Sequence, residues 1–435
     1  MVLKNFKKEE ENVKNKILFI SLAVVLALSV GIIGCTEPEP EPEAEYIILG
    51  APLPITYNDG LSALRNLNLA VDEINDAGGF DVGGTMYKFK IEVLDTADLN
   101  PTVPATDVVA VVEALITAKK ADFIIGGPLR SECALATMDT VSDYETVTIW
   151  SAGFLSPGQA SKFAGDPDKY KYCFRTQGSV VPVVVESVSI MDSIAADTGL
   201  AKEAYIMVQD VAHARAGGDG VKAGLEGAGW TVKGYDKIPT GTTDFSTMLN
   251  SAEASGAKFL WLNFDMPESV FLVKEWYNRE MDMLPIGFVV PAHDSLSWTV
   301  FGGKCEYLVN CYVKAGITPI NTQASDYIDL YESEHGVEPG LTWVAPVSYQ
   351  VVYILKDALE RAGSLDDDAV IAALEATDMT GVYGKIAFDD NHDMVYSMNP
   401  AEGAITTWVQ WLDEERVTVY PEVVKDADVV LPPWM

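Results

Sequence analysis

Two turns carry the residue types best suited to chemistry, and that chemistry is recognition of a small anion or zwitterion. Gly126-Gly-Pro-Leu-Arg-Ser131 follows an apolar run and opens a helix. Its glycines let the backbone approach a ligand closely, and the first N–H groups of a helix have no intrahelical partner. Ser131 adds a hydroxyl there, which makes the turn a cradle for a carboxylate. The plainer alternative is that Ser131 caps its own helix. Trp150-Ser-Ala-Gly-Phe-Leu-Ser-Pro157 is a second glycine-bearing turn, with Trp150 and Phe154 as apolar walls. Asp294 can neutralise a cationic group, and Trp343 offers another wall and a cation–π face. This inventory suits a zwitterion, or a small carboxylate with an apolar tail.

Other chemistries find less support. The four histidines, His213, His293, His335 and His392, form no HExxH, and no CxxC is present, so no zinc site is expected. Asp389-Asp-Asn-His-Asp393 has the alternating oxygens of a calcium loop but lacks its glycine and its distant bidentate glutamate. It reads as a polar turn. Asp366-Asp-Asp368, just after Ser364, reads as a capped helix start that complements the helix dipole. Gly153-Phe-Leu-Ser-Pro-Gly158 has the wrong spacing for a nucleophile elbow. There is no Walker A sequence, and Gly218-Asp-Gly220 is too short for a dinucleotide fingerprint. The expectation is a binding protein without enzymatic activity or cofactor. A formal charge of −34 repels nucleic-acid phosphate, so no nucleic-acid partner is expected.

The elements that must position these turns alternate along the chain. Tyr46–Gly50 is an apolar strand run, followed by a helix with Leu64, Leu67, Val71 and Ile74 on one face. Tyr87, Phe89, Ile91 and Val93 alternate with charged residues as a strand with one wet face. A helix over Val108–Ile116 feeds the strand Asp122–Gly126. The rhythm resumes after Arg175, with strands at Ala204–Val208, Trp230–Ile238, Phe259–Asn263 and Phe288–Val290. Helices over Gly220–Ala228, Phe245–Ser255 and Glu268–Arg279 separate them. Strands and helices in strict alternation imply parallel sheets with right-handed crossovers, and two such series imply two doubly wound α/β lobes. Ligands of such sheets sit beyond the carboxyl ends of the strands, where these turns lie.

The first 45 residues read as an address and a tether. Lys4, Lys7, Lys8, Lys14 and Lys16 precede an apolar run from Ile17 to Val30, the order of a secretory signal. The ending Ile32-Ile-Gly-Cys35 resembles the lipobox of prokaryotic lipoproteins, which implies cleavage before Cys35 and acylation of its thiol. An uncleaved transmembrane anchor is the alternative. Thr36-Glu-Pro-Glu-Pro-Glu-Pro-Glu43 cannot form a helix or ladder, because alternate residues lack an N–H. At about 3.1 Å per residue it makes a stalk of roughly 25 Å. Either way the body is expected outside the cytoplasm at a membrane surface. Outside the cytoplasm Cys133, Cys173, Cys305 and Cys311 can pair in three ways, and the Cys305…Cys311 spacing suits a small local loop.

In segment order the chain resembles the type I periplasmic binding proteins, in the leucine/isoleucine/valine-binding branch that serves ABC importers. The motifs are Leu69-Ala-Val-Asp-Glu-Ile-Asn-Asp-Ala-Gly-Gly79, Phe123-Ile-Ile-Gly-Gly-Pro128, Ser151-Ala-Gly-Phe-Leu-Ser-Pro157, Phe174-Arg-Thr176, Gly241-Thr-Thr-Asp-Phe-Ser246 and Thr407-Trp-Val-Gln-Trp411. The resemblance implies that Ser131 binds a ligand carboxylate and that Ala152 and Phe154 supply backbone groups. A threonine often stands where Phe154 does, and a tyrosine where His213 does. Asp294 takes the place of the acid that pairs with an ammonium, Trp343 that of a pocket aromatic, and Tyr57 lies near a contact in the first turn. The implied lobes are 46–176 with 315–388 and 177–314 with 389–423, followed by a tail at 424–435. Capture of an amino acid or related small carboxylate by hinge closure is implied, with permease subunits as partners. A lipoprotein that presents its ligand to a membrane receptor is the alternative.

Overall fold

Alternating strands and helices close into two twisted sheets in a computed structural model that describes residues 45–178, 180–312, 315–341 and 343–435. The leader, Cys35 and the Glu-Pro stalk lie outside the described residues. Among those described, no helix is long and apolar enough to cross a membrane.

The first sheet holds β1 (Glu45–Leu53), β2 (Phe80–Val82), β3 (Thr85–Asp95), β4 (Phe123–Gly126), β5 (Thr148–Trp150) and β6 (Cys173–Arg175). Their order is β2-β3-β1-β4-β5-β6. All neighbours are parallel except the β2–β3 hairpin. The second sheet holds β7 (Glu203–Gln209), β8 (Thr231–Ile238), β9 (Phe259–Phe264), β10 (Leu284–Val289) and β11 (Val309–Tyr312) as its parallel part. A small hairpin, β12 (Met379–Gly381) with β13 (Gly384–Ile386), stands apart. Then β14 (Thr407–Leu412) and β15 (Glu415–Tyr420) extend the second sheet antiparallel, giving β15-β14-β11-β10-β9-β7-β8.

Burial explains the sequence pattern. β4, β5, β9 and β10 are buried at every residue, as strands covered by helices on both faces must be, so they read as continuous apolar runs. Leu67, Ala70, Val71 and Ile74 face the core from the helix Asn58–Asp76. The expected two-lobe α/β architecture is present. Local bounds moved where tertiary contacts outweigh local pattern: the helix expected from Gly220 begins at Ala212, which puts His213 in its first turn.

The chain passes between the sheets where β6 ends at Arg175 and the helix Val181–Thr198 begins. It returns after β11, and the helix Thr322–His335 packs on the first sheet's side through Tyr327 Oη, which donates to Asn66 Oδ1 at 2.8 Å. Residues 393–404 still bridge to Arg175 and Gly384 before the chain enters β14.

Among the described residues the four cysteines, Cys133, Cys173, Cys305 and Cys311, are buried free thiols, so the local Cys305–Cys311 bridge does not form. Cys311 points into the core shared with β9 and β10 through Trp261 and Ile286, whereas Cys305 packs with Leu308 and Phe301 in a separate cluster. The Asp366 carboxylate caps the helix Asp367–Glu375 by accepting from Ala369 N, while Ser364 supports the cap residue itself.

Candidate functional site

The turn after β4 is held open by side chains that sequence reading did not single out. Gly127 passes so near β1 that a Cβ there would lie 2.3 Å from Pro52 O. The buried Asp98 accepts from Arg130 N at 2.5 Å, and burial raises its carboxyl pKa. Arg130 in turn donates to Asn100 O and Val103 O, which ties the turn to the loop between β3 and the helix Ala105–Thr117. Ser131 is the first residue of the helix Ser131–Asp143, whose cap position is Arg130. Its hydroxyl does not cap the helix; it accepts from Ser156 N at 3.2 Å and so joins the two glycine-bearing turns.

In the second turn Gly153 sits at φ +67°, where a Cβ would lie 2.1 Å from Leu129 O. Phe154 follows at φ +55°, a left-handed conformation that costs a non-glycine residue about 1–2 kcal/mol. Burial of its ring offsets that cost. Phe154 and Trp150 meet edge to face at 5.4 Å inside a cluster with Met138, Phe163 and Cys173. Their rings thus lie in a core. The backbone N–H groups of Ala152 and Phe154 go to Gly126 O and Leu129 O. Arg175, fully buried, donates to Phe154 O at 2.7 Å and Ser156 O at 2.6 Å and makes a two-pronged ion pair with Asp393. Asp393 belongs to the polar turn that resembled a calcium loop, and among the described residues no metal-holding cluster exists.

The second sheet contributes acids. His213 Nε2 lies 3.6 Å from Asp265 Oδ2, in the turn after β9. Gln209 fixes that turn by accepting from the N–H groups of Asp265 and Met266. From the first sheet's side, Asp59 senses the Asp265 charge. Burial pushes the Asp59 carboxyl up to about 6, the backbone N–H at its helix start pulls it partly down, and Asp265 pushes it further. Tyr57, two residues before Asp59, is the partly exposed cap residue of the same helix.

Asp294 Oδ1 accepts from Leu296 N at 2.9 Å, and a Cβ on Gly340 would lie 2.4 Å from its Oδ2. His293 is buried against Phe288 and Tyr312, and burial, then the Arg416 charge, lowers its pKa to about 3. Asp294 therefore faces the 336–341 loop at Gly340 while its neighbour faces the core. That loop crosses from the helix Thr322–His335 to the second sheet, where Glu338 pairs with Arg416. Trp343 closes it, almost buried, with its indole N–H and the Ser151 hydroxyl both lacking partners among the described residues. With its amide turned so that the nitrogen faces them, Gln177 bridges these segments by donating to Ser151 O at 3.2 Å and Trp343 O at 3.1 Å, the orientation that leaves both amide atoms matched.

The geometry thus joins Ser131, the 151–157 turn, Gln177 and Trp343 on one side, and His213, Asp265 and Asp59 on another, with Tyr57 two residues before Asp59. Asp294 meets the first side's loop at Gly340. An open depression of about 570 Å³ lined by Tyr277, Trp298, Lys304 and Tyr307 shares no residue with these turns. Asp98, Arg130, Arg175 and Gln177 escaped sequence reading because each acts through partners distant in the chain. The Phe-Arg-Thr motif was the one available signal for Arg175.

Comparison with known proteins bears on this arrangement. A family model described as periplasmic binding protein matches residues 56–404. The chain is 22% identical over 430 residues to the Leu/Ile/Val-binding protein homolog 8 of Brucella abortus (strain 2308), covering 93% of this chain and 96% of that protein. Its fold is similar to a putative branched-chain amino acid ABC transporter structure from Silicibacter pomeroyi, with a TM-score of 0.78, 18% identity and coverage of 90% and 100%. It is also similar to a solute binding protein of an ABC transporter from Rhodopseudomonas palustris HaA2 in complex with p-hydroxybenzoic acid. That match has a TM-score of 0.68, 15% identity and coverage of 86% and 95%.

Proposed function

We propose, since this chain belongs to the periplasmic binding protein family, that it is the extracytoplasmic solute receptor of an ABC importer and closes on a small carboxylate. A branched-chain amino acid is the leading ligand. The observation that carries this reading is the seat at Ser131, a hydroxyl in the first turn of a helix, hydrogen-bonded to the neighbouring glycine-bearing turn. Such a helix start attracts a carboxylate through its unpaired N–H groups and its dipole. Ala152 and Phe154 belong to the turn beside the seat, with the rings of Phe154 and Trp150 packed in the core that supports it; Trp343 lies on the same side, and Tyr57, His213 and Asp294 complete the cleft from its other elements.

Closure works by population. The lobes, 46–176 with 315–388 and 177–314 with 389–423, rotate about the three chain crossings. A ligand touching both raises the closed fraction by its preference for that state. Cys35 carries the lipid, the 36–43 stalk spaces the body from the membrane, and permease subunits receive the closed form. A small aromatic acid is a second reading. It is supported by Trp343, whose buried indole N–H has no partner among the described residues, and by the p-hydroxybenzoate bound to a protein of this fold.

The test is a thermal-shift screen of residues 45–435 against amino acids, amides and small organic acids. A ligand at 100 times its Kd adds about 2.7 kcal/mol of stability. A rise confined to leucine, isoleucine or valine supports the first reading, and a rise confined to aromatic acids supports the second. A panel without any rise for carboxylates counts against both.

A further inference from the structure

We infer that Arg175 is a positioning residue that fixes the 151–157 ligand turn to the hinge, with Asp393 as its counterion; the inference rests on the solute-binding reading above. Arg175 closes β6, where the chain leaves the first sheet, and Asp393 lies on the segment that leads into β14 of the second. The two are 218 residues apart, yet Nε reaches Asp393 Oδ1 at 2.6 Å and the second terminal nitrogen reaches Oδ2 at 2.7 Å. The remaining terminal nitrogen donates to Phe154 O and Ser156 O. A fully buried guanidinium without a carboxylate is strongly unfavourable, so Asp393 is required for the arginine to remain inside. The planar fork then presents its other edge to two carbonyls at once, a geometry that the point charge of a lysine does not reproduce.

The backbone reinforces the link. Arg175 N donates to His392 O, and Met394 N donates to Arg175 O, each at 2.9 Å. Tyr396 donates its hydroxyl to Gln177 O, one step further along the same crossing. Asp389 Oδ1 accepts from Asn391 N and Asp393 N, which aims the Asp393 carboxylate. The calcium-like spacing of 389–393 therefore serves to present one acid to Arg175. Because the ligand turn hangs on a side chain held between two hinge segments, rotation of the hinge shifts the groups next to Ser131. Ligand affinity and closure become coupled through this one guanidinium.

The experiment uses the full chain in detergent, L-leucine and p-hydroxybenzoate as probes, and residue-resolved hydrogen–deuterium exchange. In the wild type, the Phe154 and Ser156 amides should exchange in step with those of Arg175 and Met394. Asp393→Asn should free the turn's carbonyls and so speed exchange of the Phe154 and Ser156 amides, which donate to Leu129 O and Ser131 Oγ, about tenfold or more. Ile124 and Ile149, in the neighbouring strands, should stay unchanged. The same variant should weaken the bound probe about tenfold, and Asp393→Glu should restore part of the loss. Loop exchange unaltered by Asp393→Asn, or uncoupled from Arg175 in the wild type, overturns the inference. Should Asp393→Asn not fold, the wild-type exchange pattern alone decides. If neither probe binds the wild type, that failure belongs to the solute reading, and exchange in Asp393→Asn still upholds or overturns the link.

Discussion

Replacing Asp59 with Asn removes a carboxylate that folding leaves only partly accessible to water and under the charge of Asp265. The group's ordinary value of 3.8 rises to about 6 in the folded protein, with burial as the main cause. A raised carboxyl pKa means the folded state holds the proton more tightly than the unfolded chain. Its contribution therefore favours folding as pH falls through 6, is complete below 3.8, and turns unfavourable as pH rises through that window. Above pH 6 the shift corresponds to at most about 3 kcal/mol of destabilisation, and contact with water reduces it toward about 2. Spread over roughly 390 residues at about 2.1 cal/mol/K each, Asp59→Asn should raise the Tm by about 2–4 °C at pH 7.5. At pH 3.5 the two proteins should melt together. The assay is differential scanning calorimetry of residues 45–435 across that pH range. No gain at pH 7.5, or an equal gain at both ends, would refute the reasoning.

Four further outcomes can be checked. Ser131→Ala removes the acceptor of Ser156 N and should weaken the ligand by about 1–2 kcal/mol while the far-UV spectrum and cooperative melt persist, measured by titration calorimetry. Gly153→Ala forces a left-handed residue against Leu129 O and should lower stability by more than about 1 kcal/mol in a urea melt. Cys133, Cys173, Cys305 and Cys311 are buried, with burial pushing Cys133 up to about 11 and Cys173 and Cys305 up to about 12. A thiol reagent should find none of them in native residues 45–435 and all four in denaturant. Glu338→Gln breaks the pair with Arg416 from its half-exposed side and should shift the open–closed balance by less than about 1 kcal/mol, read by small-angle scattering at low salt.

Much of the fold was legible because its signals are local. Apolar runs such as Phe259–Phe264 report burial on both faces, and Gly-Pro and Gly-Phe punctuation marks where strands give way to turns. Ser131 could be named as a candidate because helix starts after glycine-bearing turns have a definite chemistry. The fate of Trp150 and Phe154 was not legible. An aromatic ring after a strand suits a pocket wall or a core equally well, and the φ of +55° at Phe154 accompanies its ring's place among Phe163 and Cys173. The cysteines likewise required three dimensions. A six-residue spacing permits a bridge, but the thiols belong to different clusters.

The sequence by itself determined the two α/β series, the position of the glycine-bearing turns and the family to which the chain belongs, since each rests on contacts within a few residues. Tertiary structure alone decided that Arg175 meets Asp393, that Glu338 meets Arg416, and that Asp59 senses Asp265. Those partners are joined only after loops of tens to hundreds of residues have closed. Their pairing follows from how two sheets pack and cross, and no local period or propensity encodes that.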